Sequence, residues 1–69
     1  MKRLRVIDKN GWFVRLWKKD DGTYFLEVWA FIRKAGVWAL VCEVHTDDFG
    51  FAFERFQFYA VKAHKCNLA

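Results

Sequence analysis

Sixty-nine residues, with twelve Lys plus Arg, eight Asp plus Glu and a formal net charge of +4, describe one small basic domain over residues 1–69. A chain of this size buries only about 60% of the surface it exposes unfolded, so its core sits near the lower limit of self-sufficiency and association is a natural aid. The charge attracts polyanions mildly without forming a polybasic tract, and two cysteines are too few for the disulfide framework of a small secreted protein, which fits a reducing cytoplasm.

The basic start Met1-Lys2-Arg3-Leu4-Arg5 runs into Asp8, Lys9 and Asn10 before any signal-peptide apolar core develops. No apolar run approaches the ~18 residues of a membrane helix. The first elements read as strands. Three tripeptides ending in glycine, Lys9-Asn10-Gly11, Asp20-Asp21-Gly22 and Lys34-Ala35-Gly36, look like three-residue hairpin loops, in which the last residue takes the left-handed conformation that glycine adopts freely. They delimit strands over about 3–8, 12–19, 23–33 and 37–45.

Side-chain parity tests the loop length, because a slip of one residue moves every side chain to the other face. With Lys19 opposite Thr23, Leu16 meets Leu26 and Val14 meets Val28 on one face, while Trp17 meets Phe25 and Arg15 meets Glu27 on the other. With Arg33 opposite Val37, Ala30 meets Leu40, Val28 meets Cys42 and Leu26 meets Val44. Glu27 then falls opposite Glu43, an unfavourable pair that Arg15 on the other flank could offset. Asn10-Gly11 also suits a two-residue loop, which leaves the first hairpin ambiguous; the register with Val6 facing Val14 is preferred.

After His45 the pattern changes. Thr46-Asp47-Asp48 offers a capping hydroxyl followed by two carboxylates, and Phe49, Ala52, Phe53, Phe56, Ala60 and Ala63 recur at three- and four-residue spacing. Lys62, His64 and Lys65 crowd the last turn before Asn67, predicting a helix over about 47–65. The competing strand reading runs through Phe49, Phe51 and Phe53, a bulge at Glu54-Arg55, then Phe56, Phe58 and Ala60, and Gly50 costs a helix about 1 kcal/mol. The expected fold is α+β: a four-stranded antiparallel meander followed by one C-terminal helix packed on one face, ββββα.

Eight Phe, four Trp and two Tyr are more than one helix can cover. The inner face collects Leu4, Val6, Trp12, Val14, Leu16, Tyr24, Leu26, Val28, Ala30, Ile32, Trp38, Leu40, Cys42 and Val44, and the helix stripe led by Phe49, Phe53 and Phe56 shields it. The outer face mixes aromatics with arginine, among Ile7, Val37, Ala39, Val41, Glu43 and His45. Phe13, Arg15, Trp17, Phe25, Trp29, Phe31 and Arg33 are the candidate partner-binding residues, since aromatic and Arg enrichment marks interface hot spots and large exposed apolar patches mark interaction sites. Folding of a loop or chain end over this face, or self-association as a homodimer or sheet sandwich, would also explain it.

The same face could stack single-stranded bases, with Arg3, Arg5, Arg15 and Arg33 as phosphate contacts. In element order it resembles the positive-cofactor-four and Whirly single-strand binders, although no motif is shared and Glu27 and Glu43 interrupt the phosphate track. On the helix, Phe51 and Phe58 fall with Arg55, Lys62 and Lys65 away from the core stripe and form a possible second contact, unless a different helix rotation tucks one of them into the core edge.

Reaction chemistry is sparse. His45, His64, Cys66 and core-facing Cys42 lack the paired spacing of a zinc site, Asp47-Asp48 suits a helix start better than an acid–base pair, and serine and a glycine-rich phosphate loop are absent. The reading is therefore non-enzymatic, without cofactor or metal: a small protein docking on a protein or ribonucleoprotein target. Phage and mobile elements encode many small accessory proteins of this kind, including inhibitors of host systems, and the chain is expected to be one of them. Single-stranded DNA or RNA binding is the runner-up.

Overall fold

The computed structural model describes residues 1–69. Four strands, β1 (Lys2–Lys9), β2 (Trp12–Lys18), β3 (Tyr24–Ile32) and β4 (Val37–Thr46), precede one helix, α1 (Phe49–Lys65). The strands form one open antiparallel sheet in the order β1-β2-β3-β4, so the expected α+β meander with a C-terminal helix is the architecture observed.

The central hairpin follows the parity argument. Leu16 pairs with Leu26, Val14 with Val28, Arg15 with Glu27 and Trp17 with Phe25. The Lys19 amide donates to the Thr23 carbonyl (2.8 Å), and Gly22, at φ 86°, closes a three-residue loop that a side chain would strain. Asp21 accepts from both the amide and the hydroxyl of Thr23, and these hydrogen bonds hold its carboxyl below the usual range.

The outer strands depart from the expected registers. Lys9 pairs with Trp12 across a two-residue turn in which Asn10 (φ 55°) and Gly11 (φ 83°) are both left-handed, and Ile7, not Val6, faces Val14. Val6 and Asp8 consequently join the outer face, opposite Arg15 and Phe13. A bulge at Leu4 then restores the phase, so that Arg3 meets Trp17 while Leu4 packs against the core.

In the last hairpin Ile32 pairs with Val37 across four residues, Arg33 to Gly36, in place of Arg33 with Val37. Phe31 therefore meets Trp38, Ala30 meets Ala39 and Trp29 meets Leu40; Val41 is the extra residue of a bulge, after which Cys42, Val44 and Thr46 regain the expected partners. Trp38 and Leu40 thus lie on the outer face, and Val37 and Ala39 on the inner. Both bulges release a one-residue mismatch between turn length and face pattern, because burying Leu16, Leu26 and Val28 outweighs keeping an edge strand regular.

α1 begins two residues later than the Thr46 cap implies. Asp48 is the N-cap, its carboxylate accepting from the Phe51 amide (3.2 Å), while Thr46 Oγ1 accepts from the Asp48 amide (3.1 Å). The helix buries Ala52, Phe56, Tyr59 and Ala63 against Trp12, Val14, Leu16, Leu26, Val28 and Ala30. Tyr59 belongs to this stripe although the spacing argument omitted it; Phe49, placed in the stripe, is largely exposed and rests on Tyr24 and Phe53. Cys42 donates to the Tyr59 hydroxyl (3.3 Å), and that bond, with burial, pushes the phenol up from its ordinary value. Each large apolar side chain so buried contributes about 1.5 to 3 kcal/mol.

The chain end returns to the first turn. Trp12 Nε1 donates to the Cys66 carbonyl (2.9 Å), Asn10 Nδ2 to the Ala63 carbonyl (2.9 Å) and the Leu68 amide to the Asn10 carbonyl (2.7 Å). A Cβ on Gly11 would stand 2.8 Å from Leu68 Cβ, so both the turn and this docking require glycine.

Candidate interaction face

Because α1 covers the even-numbered residues of β2 and β3, their odd-numbered side chains point to the opposite side of the sheet, and no other element crosses that side. In register across it stand Phe13 with Trp29, Arg15 with Glu27, and Trp17 with Phe25 on the central strands. Phe31 and Trp29 continue to Trp38 and Leu40 on β4, while Arg3 lies beside Trp17 on β1. Six of the seven candidate residues thus share one surface. The seventh, Arg33, is exposed in the loop between β3 and β4 at its margin.

The aromatics brace one another. Trp38 lies 5.5 Å from the Phe31 ring and 6.4 Å from Phe13, edge to face in both pairs, and Phe25 lies 4.7 Å from the His45 ring. Phe13, Trp17, Phe25, Trp29 and Phe31 are consequently half-buried, while Trp38 and Leu40 are 46% and 45% exposed. Two of the most accessible apolar groups of the face therefore escape parity reasoning. Only the β4 bulge reveals them.

The centre of the face is electrostatically closed. Glu27, 9% exposed, forms an ion pair with Arg15, whose guanidinium also lies over the rings of Phe13 (4.7 Å) and Trp17 (5.4 Å). The expected offset of Glu27 by Arg15 is thus present. Glu43, opposite Glu27 on β4, remains exposed with His45 Nε2 3.9 Å away. His45 Nδ1 lies 3.0 Å from Lys19 Nζ. Arg5 does not share the face: it stands opposite Leu16, donates to the Leu4 carbonyl (3.1 Å) and borders a small recess with Phe49 and Phe53.

The second contact set lies on the solvent side of α1, across the molecule from this face. Phe51 and Phe58 are 48% and 51% exposed, so neither tucks into the core edge. Phe58 is bracketed by the Arg55 guanidinium (5.2 Å) and Lys62 Nζ (5.6 Å). With Glu54, Gln57 and Val61, Phe58 and Lys62 line a shallow depression. Phe51 and Arg55 lie outside it.

No three His, Cys, Asp or Glu side chains converge where they could hold a metal ion, and no helix is long and apolar enough to cross a membrane. His64 instead contacts Lys9 Nζ (2.9 Å).

Fold and face together define an α+β protein whose open antiparallel sheet is covered by a helix on one side and presents an aromatic surface on the other. Comparison with protein-family models, curated proteins and solved structures finds nothing that matches the chain.

Proposed function

We propose that this is a non-enzymatic interaction protein that docks on a protein or ribonucleoprotein target through the outer sheet face, as an accessory or inhibitor of a host system such as mobile elements encode. The single observation that carries the reading is the state of Arg15: its charge is neutralised by Glu27 and its plane is held against Phe13 and Trp17. A surface whose central cation is already paired and stacked favours apolar and shape-matched contact over phosphate binding. Exposed Trp38 and Leu40, with half-buried Trp29 and Phe31 beside them, supply the anchors, and tryptophan is among the residue types that dominate interface energies.

Single-strand binding would use Arg3, Arg5, Arg15 and Arg33 together. Arg5 lies off the face and Arg15 is committed to Glu27, while Glu43 adds a carboxylate. The two classes part in a salt titration. Four phosphate contacts to a single strand would cost roughly 50-fold in affinity over a fourfold rise in salt. Apolar docking is far less sensitive.

The experiment is retention of a target from nuclease-treated lysate by the wild-type chain, by Trp29→Ala and by Trp38→Ala, alongside oligonucleotide titrations read by tryptophan fluorescence. The expected result is a nuclease-resistant, salt-tolerant complex that both variants weaken by roughly thirtyfold, as loss of an anchor of ~2 kcal/mol would, with no fluorescence response to oligonucleotides. Quenching by oligonucleotides with steep salt dependence would overturn the proposal in favour of nucleic acid.

A further inference from the structure

The open sheet has two free edges, and they are built differently. β1 carries Lys2, Arg3, Arg5, Asp8 and Lys9 within eight residues, the charge density by which native edges resist pairing with other strands. β4 is the longest strand, ten residues, and contains one carboxylate, Glu43, and no lysine, arginine or proline. Val37, Trp38, Leu40 and Val41 on it are 45% to 52% exposed. Such an edge presents unpaired backbone groups beside apolar side chains, the features of a strand that accepts another.

The bulge at Val41 selects which strand fits. Before it, the inner-face residues are Val37 and Ala39; after it they are Cys42, Val44 and Thr46, so the face pattern changes phase midway along β4. The half-buried positions record the change directly: Ala39, Cys42, Val44 and Thr46, a spacing of three and then two. A regular strand matches both halves of this edge only by leaving Val41 unopposed, as β3 does on the other side; without that adjustment its side chains fall on the wrong faces beyond Val41.

A second β4 carries the same phase change. We propose that β4 is a self-pairing edge that joins two copies of this chain, antiparallel about a two-fold axis between Val41 and Cys42, into one eight-stranded sheet. In that register the first half of each strand meets the second half of the other, and the faces match on both sides of the two central Val41–Cys42 pairs, where the bulges meet. Trp38 lies opposite the partner's His45 and Leu40 opposite the partner's Glu43 on the outer face. Ala39 meets the partner's Val44 and Val37 the partner's Thr46 on the inner. No carboxylate meets a carboxylate across the seam, because Glu43 faces Leu40 of the partner subunit. The two outer faces become one continuous surface.

The seam is small. Ten residues at ~3.4 Å in a sheet ~10 Å thick give a contact plane of ~340 Å² per copy, below the ~800 Å² per partner of a standard interface. The dimer is therefore reversible and dissociates on dilution. This inference rests on the strand register and not on the proposed target docking.

Sedimentation velocity across a concentration series tests it, with Val41→Lys placed on the edge and Trp29→Ala on the open face. The wild type should dimerise reversibly, Val41→Lys should weaken dimerisation at least tenfold with an unchanged circular dichroism spectrum, and Trp29→Ala should leave it intact. Val37→Lys repeats the test should Val41→Lys fail to fold. Register is read by disulfide trapping in a Cys42→Ala, Cys66→Ser background: Leu40→Cys mixed with Glu43→Cys should give a covalent dimer, and neither alone should, since identical positions lie about 10 Å apart along the seam. A wild-type chain that stays monomeric at every soluble concentration would overturn the proposal. So would a dimer that Trp29→Ala dissolves and Val41→Lys spares, or cross-linking equally efficient within each single variant. Target capture lost on Trp29→Ala with dimerisation unchanged separates failure of one idea from failure of the other.

Discussion

Arg15 and Glu27 occupy the centre of a face whose other central residues are aromatic, and their pairing decides what that face can attract. The Glu27 side chain is 11% exposed and that of Arg15 30%, so the pair is part-buried, not a solvated surface bridge. Removing one partner from a buried pair strands the other charge, at about 3 to 5 kcal/mol when burial is complete; solvent access to Arg15 reduces this to about 1 to 3 kcal/mol. Glu27→Gln should therefore destabilise the chain by that amount in urea unfolding. The double variant Arg15→Met, Glu27→Leu should recover to within about 1 kcal/mol of wild type, because apolar replacement of both partners removes the desolvation cost together with the attraction. Losses that simply add in the double variant would show that the two side chains are not coupled.

At the scale of elements, the helix start provides a sharp test. Asp48 closes the first turn through the Phe51 amide, whereas Thr46 only steadies the residue before it. Asp48→Ala should cost about 1 kcal/mol, within the usual range for an N-cap, and Thr46→Ala clearly less; the reverse order in thermal unfolding would contradict the assigned cap. Spacing alone points to Thr46, since a Thr followed by two acids reads as cap and first turn, and only hydrogen-bond geometry separates the two. The β2–β3 hairpin, by contrast, is legible residue by residue: its loop ends in glycine and its apolar pairs coincide only in one register. β1 and β4 are not legible to the same degree. Asn10-Gly11 supports two loop lengths, and a bulge such as that at Leu4 or Val41 leaves no compositional mark, since it arises where an edge strand yields to packing of the centre. The cost of missing the Val41 bulge is Trp38 and Leu40, both assigned to the core by parity and both exposed. Of the candidate face, the contributions of β2 and β3 are legible and those of the edge strands are not. Tyr59 is missed for a different reason: Ala52, Phe56, Tyr59 and Ala63 follow a regular four-three-four spacing, but the neighbouring Ala60 fits the same stripe, and the phenol finds its polar partner in Cys42 only in the folded chain.

Across the whole molecule, one helix of seventeen residues shields one side of a four-stranded sheet, and the tail through Leu68 docks at the first turn and not over the other side. The uncovered side is stabilised internally by its own ring contacts and by the Arg15–Glu27 pair, which lets it stay ordered while exposed. Tryptophan is distributed so that this asymmetry can be read directly. Trp12 lies in the sealed core, and Trp17, Trp29 and Trp38 lie on the open face. Labelling with 5-fluorotryptophan gives four ¹⁹F resonances, assignable one by one through Trp→Phe variants. On titration with the captured target, the resonances of Trp17, Trp29 and Trp38 should shift or broaden while that of Trp12 stays fixed. A target that moves Trp12 and leaves the other three unchanged would contradict the claim that the open sheet face is where this protein meets its partner.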